Sequence, residues 1–332
     1  MAEKKKLSKN RIRGIVVACV SVAIAAALII TNFFIPVKYL ASYMVVRNKG
    51  AKAGVMRVHF IDVGYGDCTV IELPDGKNML IDGGNGSMTN EAKILKVLNK
   101  CDIDVIDYLV CTNVNAEHCG GLAEIIKYKK VNKIYMPGLD FVYTTDEYKN
   151  FCIQASGINS VISQYGKFEA GEEYDYFFSF LSPSVITNEK GEYNDLLENP
   201  QSAEARNNAS AVIWLEYAGT GFLFTSDVTG SVLKSICANY KTADGYFDFK
   251  GHKVTLENCK VLKVANHGSE NSVYTPFYDL VKPETAVIST NNIESSNGLL
   301  TELVGSGCEK IYRTDEAGTV TIEVTAEGYA VV

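Results

Sequence analysis

No two of the nine cysteines are spaced as Cys-x-x-Cys, the pair found in many structural zinc modules. Cys19 lies in an apolar N-terminal stretch, and several of the other eight lie inside apolar runs, where cysteine packs as a small hydrophobic residue. The spacing therefore excludes a cysteine-pair zinc module. It leaves open whether some of the eight cysteines form disulfides.

A dense basic cluster is also missing after residue 13. Residues 1–13 carry six basic side chains and one acidic side chain, so a net charge of −7 for the whole chain leaves −12 for the remainder. Lys127, Lys129, Lys130 and Lys133 form a local patch that is typical of a solvated helix end. Because nucleic-acid binding requires cations that neutralise phosphates, this composition disfavours a nucleic-acid partner.

Charged residues are absent from Gly14 to Ile35, a stretch of 22 residues that follows the basic segment. A helix of this length measures about 33 Å at about 1.5 Å per residue, enough to cross a hydrocarbon core of about 30 Å. The small residues Ala25–Ala27 are followed by Leu28 and two isoleucines, which favours an uncleaved anchor over a signal peptide. The basic flank predicts that the N-terminus stays in the cytoplasm.

Four regions follow from these features. Residues 1–13 are a basic cytoplasmic tail, 14–35 a transmembrane anchor, 36–55 a juxtamembrane linker, and 56–332 a folded domain. The predicted location is the cell membrane, with a single pass and the domain outside the cytoplasm.

Hydrophobic periodicity predicts a layered α/β domain. Short apolar runs bounded by Gly, Asn or Asp indicate strands, for example Val58–Val63 and Val261–Val264. Glu91–Leu98 and Val228–Ala238 have helical spacing, and alternating strands and helices indicate sheets covered by helices. Two polar or Gly-rich segments without clear periodicity, Ser184–Asn207 and Tyr240–Glu257, are predicted surface insertions near the mouth of a site.

The segment Tyr108–Leu122 runs from a short apolar strand through a polar turn into a helix start. It resembles the metal-binding loop of the metallo-β-lactamase superfamily, which reads Thr-His-x-His-x-Asp-His-x-Gly-Gly. Four residues match that pattern: Thr112, His118, Gly120 and Gly121. Asn113 and Asn115 stand at the two positions of the His-x-His pair, and Glu117 stands at the aspartate position.

Six further blocks resemble the metallo-hydrolase domain of ComEC-type competence proteins and fall in the same order along the chain. They are Val58–Asp67, Met79–Gly84, Asn207–Ile213, Phe222–Val228, Val261–Ser269 and Arg313–Val320. The fold that this resemblance implies is the αββα sandwich of the superfamily, preceded here by one transmembrane helix. Phosphodiesterases that act on phosphorylcholine outside the membrane carry similar blocks, so the resemblance does not fix a substrate.

The resemblance also implies a set of site residues. In the intact family two metal ions activate water and clamp the oxygens of the attacked centre. Here Asn113, Asn115 and Asn266 replace histidines, so the first metal site is predicted to be lost, since zinc prefers imidazole or thiolate to an amide. The expected second-site ligands are Glu117, His118, Asp227 and His267. Asp227 is the bridging aspartate, and Asp82 braces the ligand loop.

Several outcomes for cofactor and function stay open. The surviving ligands suit one zinc ion, the oxygen-rich remainder suits calcium or magnesium, and a cleft without metal is the third possibility. The favoured function is a membrane-anchored, hydrolase-related protein with little two-metal activity that binds an envelope ligand or an unidentified protein partner. The alternatives are an active mononuclear phosphodiesterase and, ranked below it, a competence-related nuclease.

Overall fold

The structure is a computed structural model that describes residues 9–34, 36–48, 52–138, 144–183, 202–241, 244–291 and 297–332. The Ser184–Asn207 insertion up to residue 201 lies outside the described residues. The helices are α1 Lys9–Phe34, α2 Leu40–Tyr43, α3 Met88–Lys100, α4 Ala116–Cys119, α5 Leu122–Tyr128, α6 Asp146–Gln154, α7 Ala203–Asn208, α8 Gly230–Tyr240, α9 Thr275–Val281, α10 Asn297–Gly305 and α11 Thr314–Ala317. The strands are β1 Met56–Phe60, β2 Thr69–Glu72, β3 Asn78–Ile81, β4 Val105–Val110, β5 Lys130–Met136, β6 Asn159–Ile162, β7 Phe168–Ala170, β8 Tyr176–Ser182, β9 Val212–Tyr217, β10 Thr220–Phe224, β11 Phe247–Phe249, β12 His252–Val254, β13 Cys259–Lys263, β14 Thr285–Ile288, β15 Lys310–Arg313, β16 Val320–Thr325 and β17 Gly328–Val331.

Two mixed sheets form the centre of the domain. One has eight strands in the order β17-β16-β1-β2-β3-β4-β5-β6, and the other has seven in the order β15-β14-β13-β10-β9-β8-β7. The strand β3 runs parallel to β4, and β10 runs parallel to β13. The polar segments that follow these four strands therefore emerge at the strands' carboxyl ends, where ligand sites in α/β sheets commonly form.

Three apolar layers hold the sheets and helices together. Alternate residues of β1 (Met56, Val58 and Phe60) point into the layer between the sheets, while Arg57 and His59 lie on the outer face. Ile94 and Leu95 of α3 pack on the outside of the eight-stranded sheet, in line with the predicted helical spacing. Helices α8 and α9 cover the other sheet. This is an αββα arrangement, as predicted.

The N-terminal helix α1 includes the predicted span up to residue 34. Within it, Lys9–Ile30 is long and apolar enough to cross a membrane, with a mean hydropathy of 2.5 and none of it buried against the domain. The chain after α1 packs on the domain: Tyr39 is fully buried and bonds Glu91 of α3. Ser42 donates a hydrogen bond to the carbonyl oxygen of Ala92 over 2.8 Å. Residues in the predicted linker thus contact α3 directly.

Candidate metal centre

Four strand ends build one buried cleft. Asp82 follows β3, the loop from Thr112 to Asn115 follows β4, Asp227 follows β10, and His267 lies in a short 3-10 turn, Ala265–Gly268, after β13. The backbone N–H of Ala211 donates to the carbonyl oxygen of Thr112, which joins the two sheets at this edge. Segments more than a hundred residues apart in sequence therefore meet at one place.

His118 is held by Asp82. Its Nδ1 lies 2.9 Å from Oδ2 of Asp82, and that carboxylate also accepts hydrogen bonds from the backbone N–H and the hydroxyl of Thr112. The side chain of His118 is fully buried. Because Nδ1 faces the carboxylate, the imidazole presents Nε2 to the cleft, which is the usual arrangement of a metal-ligating histidine. Asp82 thus contacts both Thr112 and His118 of the loop, and its role in bracing metal ligands stays a prediction.

His267 is held in a similar way by the backbone. Its Nδ1 lies 2.9 Å from the carbonyl oxygen of Ser289, so its Nε2 also faces the cleft. The ring of Tyr65 packs on this imidazole with 4.4 Å between centroids, and the tyrosine is 46% exposed, which places it at the mouth of the cleft. Asp227 and His118 form one wall of the site, and His267 and Tyr65 form the other.

Within the described ranges of the chain, three buried atoms of the cleft converge at ion-pair distances without a hydrogen-bond partner. They are Nε2 of His118, Nε2 of His267 and Oδ1 of Asp227. The distance from Nε2 of His118 to Oδ2 of Asp227 is 2.9 Å, and that from Nε2 of His267 to Oδ1 of Asp227 is 3.3 Å. One ligand atom from each residue lies within 4.8 Å of the others. Buried polar atoms are nearly always paired, so a convergent unpaired set fits a cation between them.

The electrostatics of the three residues are strongly linked. Burial by itself lowers the pKa of His118, but the carboxylates of Asp227 and Asp82 outweigh burial and raise this pKa well above its ordinary value. Burial raises the pKa of Asp227, but the two histidines outweigh it and hold this pKa well below its usual range. The cleft therefore favours positive charge beside an ionised aspartate, and a proton on His118 fills that role when no metal does.

Strained backbone supports the site. Four residues around the cleft that are not glycine have left-handed φ angles: Asp82 (60°), Ser226 (45°), Asn266 (50°) and His267 (52°). Such conformations are uncommon outside glycine and often occur where surrounding structure fixes a functional geometry. The motif glycine Gly121 is needed because the backbone packs closely there: a Cβ at this position would overlap the carbonyl oxygen of Gly83.

The predicted first-metal positions are closed by hydrogen bonds between side chains. The amide of Asn113 donates to Oγ of Ser210 over 2.9 Å, and its oxygen accepts the backbone N–H of Asn115. The amide of Asn115 donates to Oδ1 of Asn207 over 2.8 Å, and its oxygen accepts Nε of Arg206 over 3.0 Å. Both asparagine oxygens are therefore engaged.

The other predicted site residues lie at the edge of the cleft. Glu117 is half-buried, its backbone oxygen accepts the N–H of Asp67, and its charge is one of those that raise the pKa of Tyr65 to about 12, after burial and Asp227. Among the described residues, its carboxylate is not in the ligand group that His118, Asp227 and His267 form. Its place as a fourth ligand stays a prediction. Asn266 is buried, and its backbone N–H donates to Ser226.

Two charged residues in the cleft were missed from the sequence. Lys263 is 3% exposed and forms an ion pair with Asp67, which lies behind both imidazoles at 3.5 Å from Nδ1 of His267 and 3.7 Å from Nδ1 of His118. A signal was available, because Lys263 is the one charged side chain in the apolar run Val261–Ala265. A buried lysine needs a charged partner, and Asp67 ends the block Val58–Asp67.

Comparison with known proteins places the chain among relatives that are much longer. It is 24% identical over 282 residues to ComE operon protein 3 of Bacillus subtilis (strain 168), covering 79% of this chain and 32% of that protein. It is 27% identical over 243 residues to Recombination protein 2 of Haemophilus influenzae, covering 70% of this chain and 24% of that protein. The chain thus spans a third or less of either relative.

Solved structures of similar fold include Igni18, a metallo hydrolase from Ignicoccus hospitalis, with 13% identity, a TM-score of 0.47 and coverage of 80% of this chain and 98% of that one. Another is the metallo-beta-lactamase fold protein YhfI from Bacillus subtilis, with 10% identity, a TM-score of 0.45 and coverage of 81% and 99%. The metallo-beta-lactamase superfamily itself matches residues 61–290, more than half of the chain. The match includes every cleft residue described above, and the chain belongs to the metallo-beta-lactamase superfamily.

Proposed function

We propose that this protein is a one-metal member of the superfamily, anchored to a membrane by α1, that binds a small anionic ester of the cell envelope and has little two-metal hydrolase activity. His118, Asp227 and His267 hold the ion, and the positions they leave open take the ligand. Phosphodiesters are the ligand class that the ComEC-type resemblance favours.

The observation that carries this proposal is the convergence of unpaired buried atoms on one side of the cleft. Nε2 of His118, Nε2 of His267 and the carboxylate of Asp227 are a nitrogen-rich set that suits zinc. Asp82 and the carbonyl oxygen of Ser289 fix both rings with Nε2 inward. Three fixed ligands and an open side are typical of zinc sites that bind a further molecule.

The hydrogen bonds on the other side of the cleft favour one ion over two. A second ion would need free donors at Asn113 and Asn115, and both amide oxygens already accept hydrogen bonds from the protein. The same hydrogen bonds disfavour calcium or magnesium at this place, because those ions need several free oxygen ligands. The guanidinium of Arg206 supplies positive charge beside Asn115 instead.

The residues around the ion have separable roles. A bound divalent ion would supply Lewis-acid polarisation of a ligand oxygen. Asp82 orients His118, and Lys263 balances the charge of Asp67 behind the two imidazoles. Tyr65 packs against the ring of His267 at the mouth and narrows the approach to the ion.

An active mononuclear phosphodiesterase is the second candidate. It is favoured by Arg206, whose guanidinium bonds Asn115, a position where the family pattern has a histidine, and so could stabilise charge on a phosphate. Hydrolysis of a small chromogenic diester by the full chain, abolished by a chelator and by Arg206→Ala, would select this candidate. A rate indistinguishable from that in buffer would leave binding as the function, whereas hydrolysis that persists in Arg206→Ala would mean that the activity does not depend on this guanidinium.

The number of cleft ions tests the main proposal. The full chain, purified in detergent without added metal, and its Asp227→Asn variant should differ by one equivalent of transition metal in elemental analysis. A difference of two equivalents would show that Asp227 bridges a two-metal centre. A difference of zero, with both proteins folded, would show that the cleft holds no metal.

Membrane attachment and ligand class need their own test. Detergent should be required to extract the full chain, and added protease should reach the domain in intact cells or spheroplasts. The −12 balance after residue 13 opposes a polyanion, so DNA should bind weakly at physiological salt. Tight, strongly salt-dependent DNA binding would favour the nuclease function instead.

A further inference from the structure

A second cluster of metal-ligating side chains lies on the outer face of the eight-stranded sheet, away from the cleft. His59 of β1, Glu72 at the end of β2 and Cys101 after α3 each offer one ligand atom, all within 4.8 Å of one another. The side chains of His59 and Glu72 are only 12% and 7% exposed, and Cys101 is buried. We propose that these three residues form a zinc site separate from the cleft.

The distances within the cluster match a zinc coordination shell. For Zn–N and Zn–O of about 2.0–2.1 Å and Zn–S of about 2.3 Å, a tetrahedron has nitrogen–sulfur edges of about 3.5 Å and nitrogen–oxygen edges of about 3.3 Å. Here Nε2 of His59 lies 3.6 Å from Sγ of Cys101 and 3.1 Å from Oε1 of Glu72. An ion can therefore enter with shifts of a few tenths of an ångström.

The surroundings of His59 fit a ligand role. Its Nδ1 lies 2.9 Å from Oγ1 of Thr321 on β16, so that contact fixes the ring and leaves Nε2 for the ion. Arg57 lies 4.0 Å from Glu72, but its Nε donates to Glu323 over 2.8 Å, which draws the guanidinium toward the sheet edge. On binding, the Cys101 thiol releases its proton to solvent. The thiolate and the Glu72 carboxylate then neutralise the two charges of zinc.

The fourth coordination position has room for an exogenous ligand. All three side chains line a cavity of about 830 Å³, whose wall also carries Lys93, Lys96 and Lys100 of α3. Lys93 is paired with Asp62 at 2.8 Å. A zinc ion held by one histidine, one carboxylate and one thiolate keeps one position open for a small molecule. The neighbouring lysines favour a small molecule that is an anion.

Cobalt spectroscopy separates this site from the cleft. A cysteine ligand gives Co²⁺ an intense near-ultraviolet sulfur-to-metal charge-transfer band, whereas the histidines and aspartate of the cleft give none. The full chain, reduced and stripped of metal, should develop this band on titration with Co²⁺. The band should be lost in Cys101→Ser and in His59→Gln.

Three matched variants serve as controls. The band should persist in Cys152→Ser, which changes a cysteine outside the ligand group, in Cys119→Ser, which changes the cysteine beside His118, and in Asp227→Asn, which removes a cleft ligand. Absence of the band from the folded full chain would overturn the proposal. So would a band that survives Cys101→Ser and disappears in Cys119→Ser. If Cys101→Ser does not fold, His59→Gln decides in its place.

Discussion

The two sides of the cleft share the loop that follows β4, but they differ in hydrogen bonding. On the side of His118, three buried ligand atoms converge at ion-pair distances, and none of them has a hydrogen-bond partner among the described residues. On the side of Asn113 and Asn115, the amides bond to Asn207, Ser210 and Arg206. Polar groups on the asparagine side thus satisfy one another, whereas the atoms on the side of His118 converge where we propose an ion.

The largest expected effect comes from the unpaired side. Asp227→Asn should reduce metal affinity more than about 100-fold, because it removes the anionic ligand and leaves two imidazoles. This loss is larger than the roughly 10–100-fold loss that follows from changing a residue that only orients a ligand. Isothermal titration with zinc measures the change. The matched variant Asn113→Ala lies on the closed side and should leave the affinity within about twofold. An equal loss in both variants would mean that the two sides form one metal centre.

Opening the closed side should add one ion. The triple variant Asn113→His, Asn115→His and Glu117→Asp restores the family's ligand types, and with Arg206→Ala it also frees the space that the guanidinium occupies. One further equivalent of zinc in elemental analysis is expected, together with measurable hydrolysis of a chromogenic phosphodiester. If metal content stays unchanged in the folded variant, the hydrogen-bonded side has remodelled beyond these positions.

Removing the charge of Asp82 should have a smaller effect on metal affinity. Asp82→Asn keeps the size of the side chain but removes the charge that orients His118, so zinc affinity should fall about 10–100-fold with stoichiometry unchanged. Titration against a competing chelator would show it. An unchanged affinity would mean that Thr112 and the loop alone hold the ring.

The zinc affinity of the side that carries His118 should also depend on pH. The pKa of His118 is raised, so in the metal-free protein the ring is protonated below that pKa, and metal must displace the proton. Zinc affinity should therefore increase by about tenfold per pH unit over the range below the raised pKa and level off above it. Calorimetry of the Cys101→Ser variant, which lacks the second proposed zinc site, in two buffers of different ionisation enthalpy should report about one proton released per ion. Release of no proton near neutral pH would contradict the raised pKa.

The sequence predicted the αββα fold and the meeting of Asp82, His118, Asp227 and His267, because short apolar strands and their polar ends are local features that the family pattern preserves. Lys263 and Asp67 were not assigned, since pairing across the two sheets is a tertiary contact. Arg206 belongs to a segment without periodicity, so nothing local indicated that its guanidinium would reach Asn115. The direction of Glu117 depends on one extra methylene and on the turn that carries it.

The docked segment that follows α1 has a mechanical consequence. Phe34 ends α1 and Tyr39 is already buried against α3, so the five Cα–Cα steps from one to the other can extend over at most about 18 Å. Lys38 reinforces the attachment through Glu124 of α5 over 3.0 Å. With α1 in a bilayer, such a short connection would keep the domain close to the membrane surface and limit its rotation. The cleft would then sample a fixed height above the lipid headgroups, so its ligand would have to be found within that layer.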